Sequence, residues 1–262
     1  EEDYPSLNWP FETRDFSVRT LPTGADPEAN ISASLAAFPT DVLALSLVQW
    51  VDGTLIRPEF LKGLKETYPD LLIIADATQY AGAFLLDFAD SGIDVLGASG
   101  YKWLLGGNGN GFFLFSREAE VRFKVRATGF NAVAPDLSKK NEIPFHRQLE
   151  PGHLDTLNFG SLNFSLGLLE SLDMEEVDRY NRQLSQKVRQ ALGSLSLLDD
   201  AILQKESHST IYNIPEPGGR YDYLEQQGIV CSPRGKGVRL SFHCYNTEND
   251  LDRLIEVLKS AP

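Results

Sequence analysis

The sequence is short of cysteine, of basic residues and of long apolar runs, and each shortage narrows what the protein can be. Two cysteines among 262 residues, Cys231 and Cys244, cannot build the multiply bridged scaffold of a small secreted domain. Both lie in apolar, strand-like surroundings, which suits a reduced, cytoplasmic protein, and no signal peptide is visible. No stretch approaches the roughly 18–20 uninterrupted apolar residues of a membrane-spanning helix, so no membrane partner is expected. Lys and Arg number 24 against 37 Asp and Glu, a formal net charge of −13. Phosphate backbones need clustered basic residues, so nucleic acid is not expected as a partner either. The charge itself favours solubility.

What is present is an ordinary globular composition, 42% hydrophobic and 23% charged, on a chain long enough for one large domain and a smaller one. Three apolar runs read as buried strands: Val42 to Val48, Leu71 to Ala75 and Val95 to Ala98. Arg57 to Thr67, with Pro58 in its first turn, supplies a helix between the first pair, and Leu85 to Gly92 reads as a helical link between the second and third. Strands alternating with helices imply an α/β fold with a mostly parallel sheet. The glycine-rich stretch Gly106-Gly107-Asn108-Gly109-Asn110-Gly111 precedes Phe112 to Phe115, which reads as a hairpin partner. It lacks the G-x-G-x-x-G order and follows no strand directly, so a dinucleotide fingerprint fits poorly.

From Arg122 to His146 periodicity fails, and a loop that long in a compact protein is usually functional. Leu162, Leu166, Leu169 and Leu172 then recur at helical spacing, and a long helix follows from about Glu175 to Leu195. The tail reads as a strand at Ser209 to Ile214, a helix at Arg220 to Gln227, strands near Ile229 and at Val238 to Phe242, and a last helix from Glu248 to Lys259, started by Asn246-Thr247. The expected organisation is a large α/β domain to residue 170, a connecting helix over 171–195, and a small α+β domain over 196–262.

The chemistry concentrates at two strand ends. Ile73-Ile74-Ala75-Asp76-Ala77-Thr78-Gln79 puts an acid at the carboxyl end of a buried strand, where open α/β sheets bind ligands. A lone Asp there is usually a cap or turn residue. The balance shifts because Gly97-Ala98-Ser99-Gly100-Tyr101-Lys102-Trp103 sets a lysine at the equivalent end of the next strand, ahead of the apolar Trp103-Leu104-Leu105. Lysine is seldom buried unless paired or reactive, and a desolvated lysine becomes a nucleophilic amine. A carboxylate and a lysine so placed suit pyridoxal 5′-phosphate, whose aldehyde needs an amine and whose pyridine nitrogen needs an acid to hold its proton. Gln79 is positioned for the ring's phenolic oxygen, and Ser99 and Tyr101 carry hydroxyls for a phosphate.

The motifs Ser46-Leu47-Val48-Gln49-Trp50-Val51-Asp52-Gly53, Asp76-Ala77-Thr78-Gln79 and Ser99-Gly100-Tyr101-Lys102, then Glu150-Pro151-Gly152 and Val238-Arg239-Leu240-Ser241-Phe242-His243-Cys244-Tyr245-Asn246-Thr247, resemble those of the class V aminotransferase family. These are fold-type I enzymes that include cysteine desulfurases, selenocysteine lyase and kynureninase. The resemblance covers most of the chain. It implies that Lys102 is the Schiff-base lysine, Asp76 the pyridinium partner, Gln79 the O3′ contact and Ser99 a phosphate contact. It also implies that Arg239 binds the α-carboxylate of an amino-acid substrate, in a bidentate geometry that suits Arg better than Lys. Tyr4 aligns with the residue that stacks on the pyridine face, and no metal is implied. The segment from Glu150 to Asn158 resembles one that reaches a partner's active site, so a homodimer with shared sites is expected.

Several positions depart from that pattern. Tyr101 replaces a common histidine before the lysine, His153 replaces a threonine that often reaches the neighbouring subunit's phosphate, and Trp50, near the substrate, stands where desulfurases usually have asparagine. The desulfurase cysteine loop is absent, since Cys231-Ser232-Pro233-Arg234 runs into Arg239 through a short turn; Cys231 reads as a packed strand residue. Resembling proteins also carry an N-terminal phosphate loop ahead of the first motif, so a fragment of a longer protein is expected. The function expected is amino-acid transamination, or lyase or epimerase chemistry, through Lys102. The alternative is a catalytically inactive protein of the same fold with a regulatory or scaffolding role.

Overall fold

A computed structural model describes residues 3–24, 26–133 and 135–262. The chain starts with two helices, α1 (Pro5–Glu12) and α2 (Pro27–Ala37), each opened by a proline whose missing N–H costs nothing in the first turn. A four-stranded sheet follows in the order β1 (Val42–Ser46), β2 (Leu72–Asp76), β3 (Val95–Ser99) and β4 (Gly111–Phe115). The first three strands are parallel and β4 returns antiparallel, as the hairpin reading expects. Helix α3 (Pro58–Thr67) joins β1 to β2 and buries Leu61 and Leu64, three residues apart on one face. They pack into a core with Leu47, Ile73, Leu96 and Trp103. By register Ser46, Asp76 and Gly97 lie side by side, so the carboxyl ends of the parallel strands share one rim.

The link between β2 and β3 is not helical. Turn chemistry competes successfully over so short a span: the Asp87 carboxylate accepts from Ala89 N at 3.0 Å, Ser91 Oγ donates to Phe88 O at 2.8 Å, and Gly92 holds φ +74°. After the single turn α4 (Arg117–Glu120), the described residues of the long irregular stretch carry only single turns, α5 (Phe130–Val133), a 3-10 turn (Leu137–Lys139) and the start of α6 (Phe145–Gln148). Helix α7 (Thr156–Ser171) buries Leu162 and Leu169 but leaves Leu166 and Leu172 exposed, so half of the expected leucine stripe faces outward.

Helix α8 (Met174–Ser194) directs Leu184, Val188 and Leu192 into a second core, so its latter half does more than connect. After α9 (Asp200–Leu203) comes a second sheet of β5 (Ile211–Pro215), β6 (Ser232–Arg234) and β7 (Gly237–Ser241), ordered β5-β7-β6 and fully antiparallel. Helix α10 (Arg220–Gln226) precedes β6, and α11 (Glu248–Leu258) closes the chain behind a capping box between Thr247 and Asp250. The strand expected near Ile229 begins at Ser232, which leaves Cys231 outside it; Cys244 lies in a turn where its N–H donates to His243 Nδ1 at 2.7 Å. No helix among the described residues is long and apolar enough to cross a membrane.

The two sheets meet at the turn after β1. Gly53, at φ +79°, approaches so closely that a Cβ there would lie 2.0 Å from Ile211 O, and Ser209 Oγ donates to Gly53 O at 2.7 Å. Next to this contact His208 is buried, stacked on Tyr212 at 4.7 Å with its Nε2 unpartnered. Burial, with Lys205 and Arg189 nearby, pushes its pKa down to about 4. An unfolded histidine titrates near ~6.5. Between those values the unfolded chain binds a proton that the folded chain refuses, so stability is full above the upper value and declines as pH falls. The loss should reach roughly 3 kcal/mol near the lower value. His208→Phe keeps the stack, and urea midpoints should fall less for this variant than for the wild type as pH drops from neutral to weakly acidic. Parallel profiles would contradict this role for His208.

Candidate active site

Lys102 follows β3 in a tight turn: Leu105 N donates to Lys102 O at 2.9 Å and Gly106 N to Gly100 O at 2.8 Å. The turn is seated from both sides. Gly82 at φ +91° lies where a Cβ would come within 2.4 Å of Trp103 O, and His243 Nε2 meets the same carbonyl at 2.9 Å. Since His243 Nδ1 accepts from Cys244 N, its Nε2 carries the proton and donates. A histidine of the second sheet's trailing turn thus fastens the lysine's loop.

Lys102 is half-buried, and burial holds its ammonium below the ordinary lysine range. Arg239 and Arg234 push the same way, while Asp76 opposes them. Asp76 ends β2, where one carboxylate oxygen accepts from Thr78 N at 2.8 Å. Thr78 Oγ1 in turn accepts from Ser99 N at 3.1 Å, which ties the ends of β2 and β3 together. Gln79 is buried: its Oε1 accepts from Trp103 Nε1 at 2.7 Å, while its Nε2 has no partner. A buried amide with an unused donor is costly unless a ligand acceptor meets it.

Tyr4 stands over this rim. The Asp3 carboxylate accepts from Ser46 N at 2.8 Å and from the Ser46 hydroxyl, pinning the start of α1 to the end of β1. Tyr4 is 39% exposed, with Lys102 Nζ 5.7 Å from its ring centroid and the Trp50 ring edge-on at 5.7 Å. Tyr101 is 44% exposed, and its ring also lies 5.7 Å from Lys102 Nζ. Arg239 reaches in from β7, where Nη1 donates to Trp50 O at 2.8 Å and the buried Nε has no partner.

Eight of the nine residues expected from sequence therefore lie on this rim or are tied to it: Tyr4, Trp50, Asp76, Gln79, Ser99, Tyr101, Lys102 and Arg239. His153 does not join them. It is exposed and stacks on Phe130 at 5.9 Å. Sequence reasoning missed Asp3, whose only signal was its place beside Tyr4, and Arg234, whose guanidinium lies 5.9 Å from the Trp50 ring. Cys231 packs against the second core, and burial pushes its thiol pKa up to about 11. That thiol is protonated at neutral pH and is a poor nucleophile.

These groups fit pyridoxal phosphate: a desolvated amine, a carboxylate on the adjacent strand end, an aromatic ring above, and a buried amide donor left open. The class-V aminotransferase family model matches residues 12–254. An uncharacterised protein of Schizosaccharomyces pombe is 28% identical over 92% of this chain, which spans 58% of that protein's length. Isopenicillin N epimerase of Amycolatopsis lactamdurans is 26% identical over 99% of this chain and 72% of its own length. Among solved structures, the apo cysteine desulfurase of Thermococcus onnurineus superposes with a TM-score of 0.77 at 18% identity, covering 95% of this chain and 67% of that one. The fold is thus the fold-type I architecture expected from sequence, with its mostly parallel sheet. The chain belongs to the class-V aminotransferase family.

Proposed function

We propose that the full-length protein is a pyridoxal-phosphate-dependent enzyme acting on an amino acid. The observation that carries this reading is the half-buried Lys102 amine just past the end of β3, on the sheet whose neighbouring strand ends in Asp76, within electrostatic reach of Asp76 and of Arg239 from the second sheet. Lys102, Asp76 and Gln79 would hold the cofactor, with Ser99 and Tyr101 offering hydroxyls to its phosphate and Tyr4 covering its ring. When bound, the cofactor supplies an electron-withdrawing ring that weakens the bonds at an amino acid's Cα. The protein's own share is proton control and orientation. Lys102, its pKa lowered, is more often neutral near pH 7 than an exposed lysine, so it can take a proton from Cα and return it. The Asp76 carboxylate would accept a hydrogen bond from the cofactor's ring nitrogen, and Arg239 grips the α-carboxylate and fixes which Cα bond faces the amine.

Transamination, lyase and epimerase outcomes all use this arrangement. Desulfuration with Cys231 as sulfur carrier is disfavoured by the raised thiol pKa and by its packing. We further propose a homodimer. Helix α7 carries Leu157, Phe164 and Leu168, all exposed and spaced seven and four residues apart on one face. The Glu150–Asn158 segment with His153 leads into that face, which supports a site shared between subunits. The proposed division into a large unit, a connecting helix and a small unit is supported by the two separate cores.

The test is retention of the cofactor. Full-length protein incubated with pyridoxal phosphate and then desalted should keep a visible absorbance band, which an amino acid should shift. A retained band that no amino acid perturbs would favour the inactive alternative, and no band would overturn the reading.

A further inference from the structure

Arg234 is absorbed by nothing in that reading, yet its placement is specific. It ends β6, opposite Gly237, while Arg239 lies opposite Ser232 in the same pair of strands. Directly opposed residues of an antiparallel pair share a face, and positions two apart on a strand share it too. Arg234 and Arg239 are therefore diagonal neighbours on one face of the hairpin. Both meet Trp50, Arg239 through its bond to Trp50 O at 2.8 Å and Arg234 with its guanidinium carbon 5.9 Å from the ring centroid. Trp50 touches Tyr4, and Tyr4 touches Lys102.

Three cations thus gather about Tyr4 and Trp50, while among the described residues the rim's carboxylates are Asp76 and Asp3, the latter already engaged by Ser46. Among the described residues none of Lys102, Arg234 and Arg239 forms an ion pair. Among the described residues the side chain of Arg234 donates only to Pro233 O, at 2.8 Å, and Arg239 keeps a buried Nε open. Like charges gathered without partners repel one another, and Arg234 weakens the hold of both Lys102 and Arg239 on their protons. One substrate α-carboxylate at Arg239 would leave a cation over.

We propose that Arg234 is a specificity-determining residue that binds a second carboxylate, so that the substrate is an amino acid with an acidic side chain. This rests on the proposed placement of the α-carboxylate at Arg239. The rival occupant of Arg234 is the cofactor's phosphate, and the test separates the two.

The probes are succinate and its half-amide succinamate, which match in shape and differ by one charge, titrated calorimetrically into full-length protein carrying its cofactor. The wild type should bind succinate at least about tenfold more tightly, in line with a charge-assisted bond against a neutral one. Arg234→Gln should bring the ratio near one by weakening succinate alone, with its visible band unchanged. Arg234→Lys should keep most of the preference, which guards against a folding defect being read as lost specificity. Equal affinities in the wild type, or a Gln variant that weakens both probes alike, would overturn the proposal. So would a variant that loses the cofactor while keeping the ratio. If the protein retains no cofactor at all, the functional reading fails, while the succinate preference is still read on the cofactor-free protein.

Discussion

Replacing Lys102 by alanine is expected to slow exchange of a substrate's Cα hydrogen with solvent deuterium by about three decades or more, because it removes the amine proposed both to anchor the cofactor and to move the proton. This exchange is common to transamination and epimerisation, so it can be read without knowing the final product. Thermal stability should hold or rise, since a half-buried ammonium without an ion pair is removed from beside two guanidinium groups. Exchange within tenfold of wild type would show that another group moves the proton. A collapse of the melting temperature would instead mark Lys102 as a structural residue.

The second large effect is expected at Arg239. Arg239→Lys keeps one positive charge but loses the planar fork, so amino-acid affinity should fall by about one to two decades. Its Nη1 is already committed to Trp50 O, and its Nε is the open donor; a single ammonium cannot serve both. The visible band of the bound cofactor should be unaffected, because Asp76, Gln79 and Lys102 come from the other sheet. If Arg239→Lys releases the cofactor and leaves amino-acid affinity unchanged in the remaining holoprotein, the substrate carboxylate has been put in the wrong place.

The parts of the fold that a single sequence discloses are those where local pattern and tertiary role agree. β1, β2 and β3 were legible because they are short, apolar and followed by polar residues, and the acid and lysine at their ends could be set side by side before any register was known. The start of α11 was legible because its cap is local. What escaped depends on partners distant in sequence. Helix α1 has an internal Pro10 and buries no residue, so it has no apolar stripe to detect, and it is held by the Asp3–Ser46 contact across 43 residues. Leu85 to Gly92 carries helix-compatible leucines, but its Asp and Ser side chains bond to nearby backbone and select turns.

The site divides the same way. Lys102 and Asp76 announce themselves through residue type and position. Arg234 does not: an arginine before a glycine in a tight hairpin reads as surface until the pairing of β6 with β7 turns it onto the face of Arg239. His243 likewise looks like an ordinary strand-end residue, and only the approach of the second sheet to Trp103 gives it a positioning role. His153 follows a motif that resembles the family's, yet its ring stacks on Phe130 at 5.9 Å, away from the rim.

Lys102 is proposed as the residue joined to the cofactor. Full-length protein loaded with pyridoxal phosphate, reduced with borohydride, digested and mapped by mass spectrometry should carry the pyridoxyl group on the peptide containing Tyr101-Lys102-Trp103, at the lysine. Label on any other lysine, or an unmodified Lys102 in protein whose visible band has been bleached by the reduction, would contradict the account.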